Sequence, residues 1–446
     1  MKTCAIISLG CPKNLVDSEQ MLGQLARQDF QVVLEPEDAD IVIINTCGFL
    51  AASREEGLEN IHAMERLRRN PNERLACLIV AGCLVSRDKE SLVAQCPDVD
   101  AFLDVFSRDE VQNAVRQTLD GTLEKRLFLG TTEEIAKDDT RFPLLPAHVA
   151  YLKIAEGCNR RCAFCAIPNI RGRYSSKPMD LLLAEAKALA QNGVRELVLI
   201  AQDTSRYGSD LDDPHATLAN LLKALSQIDG ILWIRVLYLY PQNFGDDLID
   251  ALAETPKVVP YIDMPLQHIN NRILKSMRRA VTREKTLELL EKLRTRLPQL
   301  AIRTAFIVGY PGETQAEFDE LLAFIRKQRF PRLGVFQYSP EEGTPAAEME
   351  RQVPEKISRK RAEAVMKLQK QISSEWVRSL VGTVQEVLVD AQLEDGRWMG
   401  RTMFDAPDID GHVFFTADNI MPGQRVLCEI TGGDAYDLIG NVHPDL

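Results

Sequence analysis

The sequence predicts an α/β protein with three parts: an N-terminal parallel α/β domain, a central partial TIM-like barrel of six βα units, and a small C-terminal β-barrel. Three observations favour this fold class. Short apolar runs alternate with helical stretches in two separate blocks, and strand-like runs broken by Asp, Gly and Pro fill the end of the chain. In addition, 446 residues exceed the size that one hydrophobic core usually serves.

The N-terminal α/β domain is predicted over residues 1–120. Four short apolar runs there have the length of buried strands and are separated by helical stretches: 5–9, 41–45, 78–81 and 102–105. This alternation is typical of a parallel sheet with helical crossovers. Residues 121–146 follow, with Gly130-Thr-Thr and Phe142-Pro-Leu-Leu-Pro, and we interpret them as a linker.

The partial barrel and its exit helix are predicted over residues 147–375. Six strand candidates are separated by helical patterns: 151–154, 196–201, 233–239, 261–264, 302–308 and 334–338. A charged helix from residue 354 to about 380 leads out of the barrel. Residues 376–446 then predict a small β-barrel from four strand-like runs: 384–389, 413–415, 426–430 and 438–442.

Composition and charge exclude some classes of protein. The longest uncharged apolar run, residues 75–85, is far short of the roughly 18 residues that a membrane helix needs. We expect a cytoplasmic protein, in which ten cysteines serve as thiols or metal ligands rather than as disulfides. The net charge of −12 argues against broad, nonspecific adhesion to nucleic acid.

The most specific motif is a set of three cysteines directly after the first strand of the predicted barrel. Cys158, Cys162 and Cys165 have the spacing C-x3-C-x2-C, and three thiolates on one tight loop can hold three irons of a 4Fe-4S cluster. The fourth iron stays open and can chelate S-adenosyl-L-methionine, whose one-electron reduction releases a 5'-deoxyadenosyl radical. Structural zinc is the alternative, but it needs four ligands, and no histidine or fourth cysteine lies close in sequence.

The spacing of these cysteines, with Phe164 before the last one, resembles the radical S-adenosylmethionine (radical SAM) superfamily. The resemblance implies that Phe164 lies near the adenine. Residues 308–313, Val-Gly-Tyr-Pro-Gly-Glu, resemble the adenine-contacting segment of that superfamily, which implies that Gly309 and Gly312 let the backbone approach the ligand. An ordinary Pro-Gly turn is the alternative for this segment.

Two polar residues follow the second strand of the predicted barrel. Gln202 and Asp203 are positioned to bind the methionine moiety of S-adenosylmethionine, or else they cap the next helix. The chemistry of the two side chains allows either role, and their position favours the ligand. No side chain of the sequence is identified as a general acid or base.

A second set of cysteines is spread over the N-terminal domain. Cys11, Cys47 and Cys83 each follow the C-terminal end of a different predicted strand, and in a parallel sheet those ends share one edge. They predict either a second cluster or three unrelated core cysteines. We interpret the remaining four as buried small apolar side chains: Cys4, Cys77, Cys96 and Cys428. Of these, Cys77 is a second ligand candidate, six residues from Cys83.

Essentially the whole chain resembles the methylthiotransferase family. The stretches of sequence that match the family are residues 8–19, 260–268 and 336–343. That resemblance implies a C-terminal TRAM domain and two 4Fe-4S clusters, of which the N-terminal one delivers sulfur and the barrel one makes the radical. One S-adenosylmethionine would donate a methyl group and another would supply the radical. The radical would remove hydrogen from the β-carbon of an aspartate, where the methylated sulfur is then captured.

Two features predict the substrate: the residues that follow the first cysteine of the N-terminal set, and the net charge of the C-terminal domain. Pro12-Lys13 stands where family members that modify transfer RNA typically have Gln-Met, which favours a small-subunit ribosomal protein, free or within the ribosome. Residues 381–446 carry twelve acids and three bases, a net charge of −9 that suits a basic partner and disfavours transfer RNA, although it could serve solubility alone. The alternatives are methylthiolation of a transfer RNA adenosine, and an electron carrier or redox sensor with two clusters. The electron donor is not identified.

Overall fold

The structure is a computed structural model that describes residues 1–28, 30–131 and 140–443. The N-terminal domain is a six-stranded parallel sheet in the order β2-β1-β3-β4-β5-β6, with helices between the strands. Its elements are β1 (Thr3–Ser8), α1 (Pro12–Ala26), β2 (Gln31–Val32), β3 (Ile41–Thr46), α2 (Ala51–Arg69), β4 (Cys77–Gly82), α3 (Cys83–Gln95), β5 (Ala101–Leu103), α4 (Val111–Asp120) and β6 (Leu127–Phe128).

The central strands of this sheet are buried on both faces. Every residue of β3 and β4 is buried, and both strands are rich in Ile, Val and Leu, as expected for parallel strands covered by helices on two sides. The strands are in register from Ile41 opposite Cys77 to Thr46 opposite Gly82. Their carboxyl ends therefore share one edge, from which the loops carrying Cys47 and Cys83 leave.

The segment predicted as a linker contributes to the N-terminal sheet. Its strand β6 pairs with β5, and Arg126 donates hydrogen bonds to the carbonyl groups of Pro97 and Val99. A two-residue edge strand is too short to show an apolar pattern, which is why the sequence does not predict it. Residues 132–139 of the predicted linker 121–146 lie outside the described residues.

The central domain contains the predicted six-stranded parallel sheet in consecutive order, β7-β10-β11-β12-β13-β14. Its elements are β7 (Val149–Lys153), β8 (Ala155–Glu156), α5 (Ile167–Arg171), β9 (Ser175–Ser176), α6 (Met179–Gln191), β10 (Glu196–Ile200), α7 (Leu218–Leu225), β11 (Trp233–Val236), α8 (Asp246–Glu254), β12 (Val258–Asp263), α9 (Asn271–Ser276), α10 (Arg283–Arg296), β13 (Ala301–Val308), α11 (Gln315–Gln328) and β14 (Arg332–Gln337). Consecutive strand order with intervening helices is the arrangement of a partial (βα)6 barrel.

The inner face of this partial barrel is covered by residues from both neighbouring domains. Alternate strand residues such as Leu152 pack outward against the helices, whereas Tyr151 and Tyr261 belong to an inner cluster. That inner cluster also contains Val16 of α1 and Phe404 of the C-terminal domain. The three domains consequently share this one apolar cluster, beside the separate clusters that each domain has of its own.

A long helix leads to a closed five-stranded barrel in the order β15-β16-β17-β19-β18. The elements are α12 (Glu355–Leu380), β15 (Val384–Gln392), β16 (Trp398–Thr402), β17 (Val413–Phe415), β18 (Arg425–Gly433) and β19 (Leu438–Val442). The sequence did not predict β16, because Gly400 and Arg401 interrupt its apolar pattern. Helix α12 runs past residue 375, where the sequence places the domain boundary. No described helix has both the length and the apolar character to cross a membrane.

Buried ion pairs join the C-terminal barrel to the central domain. Glu196 accepts hydrogen bonds from Arg235 at 2.7 Å and from Arg401 at 2.6 Å, and all three side chains are almost fully buried. Arg401 also pairs with Asp390, which contacts His148 at 2.8 Å. Such pairs are strongly destabilising when one partner is lost, so they fix how the two domains dock.

Candidate active site

The loop after β8 brings Cys158, Cys162 and Cys165 together. The backbone N–H of Cys165 donates to the carbonyl of Cys162 at 3.1 Å, and that of Cys158 donates to Gly172 at 3.1 Å. Besides burial, ionised Cys162 and Cys158 each raise the pKa of Cys165, so the three sulfur atoms are near enough to interact electrostatically. The loop lies beyond the carboxyl end of β7, where barrel enzymes bind their ligands.

Two arginines place positive charge beside this set. The guanidinium groups of Arg160 and Arg279 lie 3.9 Å and 4.0 Å from the centre of the Tyr240 ring, and Arg279 Nη1 lies 3.8 Å from Cys162 Sγ. Burial nevertheless raises the pKa of Cys158 to about 11. The Cys158 thiol therefore holds its proton at neutral pH and would release it on binding metal.

The second set lies at the carboxyl edge of the N-terminal sheet, as predicted. Cys11 precedes α1 as its N-cap, Cys47 follows β3, and Cys83 is the first residue of α3. After burial itself, ionised Cys11 raises the pKa of both Cys47 and Cys83, and Cys47 acts likewise on Cys83, so these three thiols are also neighbours.

Glycines before two of these cysteines make the close approach possible. Gly10 has φ of +97°, and a Cβ atom there would lie 2.8 Å from Cβ of Cys47. Gly82 has φ of +96°, and its Cβ would collide with the side chain of Asn45. Only glycine adopts such a backbone conformation without strain while leaving room for a neighbouring chain.

The charge around the second set differs from one thiol to the next. Burial opposes ionisation of Cys11, but the charges of Lys13 and Arg171 lower its pKa overall. Burial raises the pKa of Cys83 to about 12, although Arg171 acts in the opposite direction. A cluster bound to these thiols would carry negative charge close to two cations, which fits the donor set.

Cys77, the competing ligand candidate, lies elsewhere. It begins β4 at the opposite edge of the sheet, is fully buried, and packs in an apolar cluster with Cys4 and Ile79. Burial raises its pKa to about 12, with Asp100 adding to the effect. Cys96 ends α3 and Cys428 lies inside the C-terminal barrel, both fully buried, as the sequence analysis describes them.

A buried arginine from the barrel domain contacts the N-terminal cysteine set. Arg171 is 1% exposed, and its Nε donates to Cys83 Sγ at 3.2 Å. Its other nitrogens donate to Asn14, to Asp17 at 3.2 Å and to Glu156 at 2.9 Å. No motif in the sequence gives Arg171 a role. Asn14 and Asp17 lie three residues apart and therefore on one face of α1. This spacing is the signal in the sequence that could have indicated a polar partner for that face.

Phe164 and the segment with Gly309 and Gly312, all predicted to contact S-adenosylmethionine, meet at one apolar cluster. Phe164 packs against a cluster that contains Ile307 and Tyr310, so the cysteine loop meets the segment after β13. Gly309 and Gly312 both have φ of +75°. The space beside Gly309 is occupied by Ser358 of α12, which gives this glycine a packing role in addition to the predicted ligand contact.

Gln202 and Asp203 both face the cysteine loop. Gln202 donates from Nε2 to Glu156 at 2.6 Å, and its Oε1 is buried with no hydrogen-bond partner among the described residues. Asp203 is 1% exposed and accepts from Arg160 at 2.8 Å and from Ser205 at 2.6 Å. Asp203 thereby fixes Arg160 within the loop, whereas Oε1 of Gln202 is left without a partner among the described residues.

Solved structures with the same fold belong to radical SAM enzymes. The radical SAM methyltransferase TsrM from Kitasatospora setae superimposes with a TM-score of 0.56 at 14% identity, over 86% of this chain and 78% of that one. The cobalamin-dependent radical enzyme OxsB superimposes with a TM-score of 0.52 at 13% identity, over 82% of this chain and 56% of that one. These likenesses show the fold.

Three family models match the chain in the order of its domains. Uncharacterized protein family UPF0004 matches residues 3–104, the radical SAM superfamily matches residues 152–325, and the TRAM domain matches residues 381–442. The matches cover both cysteine sets and the closed β-barrel, so the predicted fold class is confirmed for each domain.

Relatives from several bacteria are similar over nearly their whole length. "Ribosomal protein uS12 methylthiotransferase RimO" from Pelobacter propionicus is 44% identical over 98% of this chain and 97% of its own. The protein of that name from Desulforamulus reducens is 43% identical over 99% of this chain and 100% of its own. With this identity and coverage, the chain belongs to the RimO family of radical SAM methylthiotransferases.

Proposed function

We propose that this methylthiotransferase acts on ribosomal protein uS12 and inserts the methylthio group at the β-carbon of an aspartate. The observation that carries the proposal is that one buried arginine links a cysteine of the first set to the segment that leads into the loop of the second. Arg171 donates to Cys83 of the first set and pairs with Glu156, two residues before Cys158 of the second. This link supports a short distance between groups bound to the two sets, as sulfur transfer to a radical requires.

The two sets of thiols are proposed to hold two 4Fe-4S clusters, each on three cysteines. With S-adenosylmethionine bound, such clusters supply a 5'-deoxyadenosyl radical on one side and sulfur on the other. An unactivated C–H bond offers acid-base groups little to act on, which is why a radical is needed. The residues of the chain bind and orient: Arg160 and Arg279 balance charge at the barrel set, and Arg171 does so at the N-terminal set.

The C-terminal barrel supports a basic protein as the substrate. Some of its acidic residues do not face solvent, because they contact the central domain. These contacts are Asp390 with His148, Asp405 with Arg332 and Asp410 with Tyr261. Six other acids of the barrel are exposed: Glu394, Asp395, Asp408, Asp418, Glu429 and Asp434. This surface suits lysine- and arginine-rich protein and repels RNA phosphate.

The two alternative functions predict different products. Methylthiolation of a transfer RNA adenosine would use the same chemistry, but the relatives at 41–45% identity are named for a ribosomal protein. An electron carrier or redox sensor with two clusters would not cleave S-adenosylmethionine. The membership of the chain in a methylthiotransferase family favours the enzyme over the carrier.

The proposal is tested with the reduced holoenzyme under anaerobic conditions. Purified uS12 and unmodified transfer RNA are offered separately with S-adenosylmethionine, and both are analysed by mass spectrometry. We expect a methylthio group on uS12 alone, together with 5'-deoxyadenosine. Iron and sulfide analysis should give about eight irons per chain, as two 4Fe-4S clusters require. Modification of the RNA alone would contradict the proposed substrate, and four irons would contradict the second cluster.

A further inference from the structure

Lys13 places a buried positive charge beside the N-terminal cysteine set, where that domain meets the barrel. The side chain begins in the first turn of α1, two residues after Cys11, and the residue is only 7% exposed. Its Nζ lies 3.1 Å from the centre of the Tyr238 ring, which follows β11 of the partial barrel. The ammonium group thus reaches from the N-terminal domain into the mouth of the barrel.

This ammonium has no anionic partner within the described part of the chain. No hydrogen bond or ion pair joins Nζ of Lys13 to any described residue, and its direct contact is the ring of Tyr238. The acids nearby are engaged by other cations: Glu156 pairs with Arg171 at 2.9 Å and Asp263 with Arg303 at 2.7 Å. The ammonium of Lys13 therefore lacks a direct ion-pair partner among the described residues, while Glu156 and Asp263 act on it only from a longer distance.

Neither helix stability nor packing explains a lysine at this position. The first turn of a helix is the positive end of its dipole, where a cation is unfavourable. A buried ammonium without a carboxylate is costly, and contact with an aromatic ring offsets only part of that cost. A cluster on the neighbouring Cys11 would balance part of this charge, and an anionic group that enters the barrel mouth would give Nζ the direct partner that it lacks.

We propose that Lys13 binds the side-chain carboxylate of the acidic residue that the enzyme modifies. The inference rests on the proposed function, since it takes an aspartate as the reacting residue. The β-carbon of aspartate is bonded directly to its carboxylate carbon, so an ammonium that holds the carboxylate also fixes where the reacting C–H bond lies. Lys13 is then a substrate-binding and specificity-determining residue, which selects a carboxylate over the corresponding amide.

A different role for the same charge is also testable. Lys13 lies close to Cys11, so its charge could serve only to balance a cluster on Cys11, Cys47 and Cys83. In that case the loss of the charge changes the iron content or the reduction potential of the cluster. Discrimination between an acid and an amide in the substrate would then be the same with and without Lys13.

The test measures peptide affinity with the anaerobic holoenzyme, without a reductant. Two synthetic peptides of uS12 are compared, one with the aspartate to be modified and one with asparagine at that position. The variants are Lys13→Met and Lys13→Gln, which keep the length or the polarity of the side chain without its charge. Lys356→Met is the matched control, because Lys356 is exposed on α12. Iron content and circular dichroism are recorded for every variant.

The wild type and the control are expected to bind the aspartate peptide roughly tenfold or more tightly than the asparagine peptide, as a charge-assisted hydrogen bond provides. Both Lys13 variants should bind the two peptides equally while keeping their iron. Equal affinity of the wild type for both peptides would overturn the inference, even if the Lys13 variants fail to fold. Unchanged discrimination in a folded Lys13 variant would overturn it too, whereas a wild type that binds neither peptide contradicts the proposed function itself.

Discussion

The Nε atom of Arg171 lies 3.2 Å from Sγ of Cys83, although the two residues are 88 positions apart and belong to different domains. The same guanidinium group reaches Glu156 at the start of the other cysteine loop. One buried cation thereby couples the docking of the N-terminal domain to the arrangement of both proposed cluster sites. Its removal should affect the stability of the protein and its iron content together.

Replacing Arg171 tests this coupling. In Arg171→Met, Asp17 and Glu156 each lose one cationic partner but keep Lys153, so we expect a loss of about 3 kcal/mol, the low end for a broken buried ion pair. The free energy of unfolding is measured in denaturant, and iron is measured in parallel. Arg173→Met is the matched control, since Arg173 is exposed on the same segment. Equal stability of the two variants would contradict the role of Arg171.

The choice between Cys77 and Cys83 is tested by metal analysis. In Cys83→Ala the N-terminal set loses a thiol, and we expect iron to fall by about half, the share of one of two clusters. Cys77 is fully buried at the opposite edge of the sheet, so Cys77→Ala should keep its iron and lose only some stability from the cavity. Loss of iron in Cys77→Ala alone would overturn the ligand assignment.

Gly10 is expected to be required for the geometry of the N-terminal set. Alanine at φ of +97° is strained by roughly 1–2 kcal/mol, and its Cβ would press on Cys47. Gly10→Ala should therefore lower iron loading of the anaerobically purified protein. Gly121→Ala is the control: Gly121 has φ of +67°, but nothing lies within 4 Å of the added atom. If both variants load iron equally, the close approach to Cys47 is not essential.

The docking of the C-terminal barrel is expected to depend on Glu196. In Glu196→Gln two buried guanidinium groups, those of Arg235 and Arg401, lose their shared anion. Removal of one partner from a buried ion network costs about 3–5 kcal/mol. Limited proteolysis should release a C-terminal fragment from this variant faster than from the wild type. A digestion pattern identical to that of the wild type would show that apolar packing alone docks the barrel.

The same acids predict a loss of stability at low pH. Burial opposes ionisation of Glu196, but Arg401 and Arg235 hold its pKa below the usual 4.5, and His148 and Arg401 lower that of Asp390 against the same opposition. A lowered folded-state pKa contributes stability that is present above the unfolded-state pKa and is lost as the pH falls through the folded value. Unfolding measured from pH 7 downward should therefore show a steeper acid loss in the wild type than in Glu196→Gln.

Much of the fold follows from local pattern. The predicted strands at 41–45 and 302–308 match β3 and β13 within one residue at each end, because buried parallel strands are continuous apolar runs. Strands β6 and β16 were not predicted, since one is too short to show a period and the other contains Gly400 and Arg401. Pairing with a neighbouring strand, rather than local pattern, determines these two.

For the candidate site, too, some features follow from the sequence and others only from the structure. The sequence predicts which cysteines could act together, because strand order places Cys11, Cys47 and Cys83 at one edge, and one short loop holds Cys158, Cys162 and Cys165. The net charge taken from the sequence includes Asp390, Asp405 and Asp410 as if they were at the surface. In the structure these three acids contact residues of the central domain instead. The solvent exposure of an acid depends on which domain docks beside it.

The sequence by itself thus determined the fold class of each domain, the grouping of six cysteines into two sets and the class of chemistry, since these depend on spacing within short segments and on the geometry of parallel sheets. Only the tertiary structure decided that Arg171 contacts Cys83, that Cys77 lies away from Cys83, and that Lys13 reaches Tyr238. Those contacts join residues far apart in the chain. They form when whole domains pack, and no local period in the sequence records which side chains then meet.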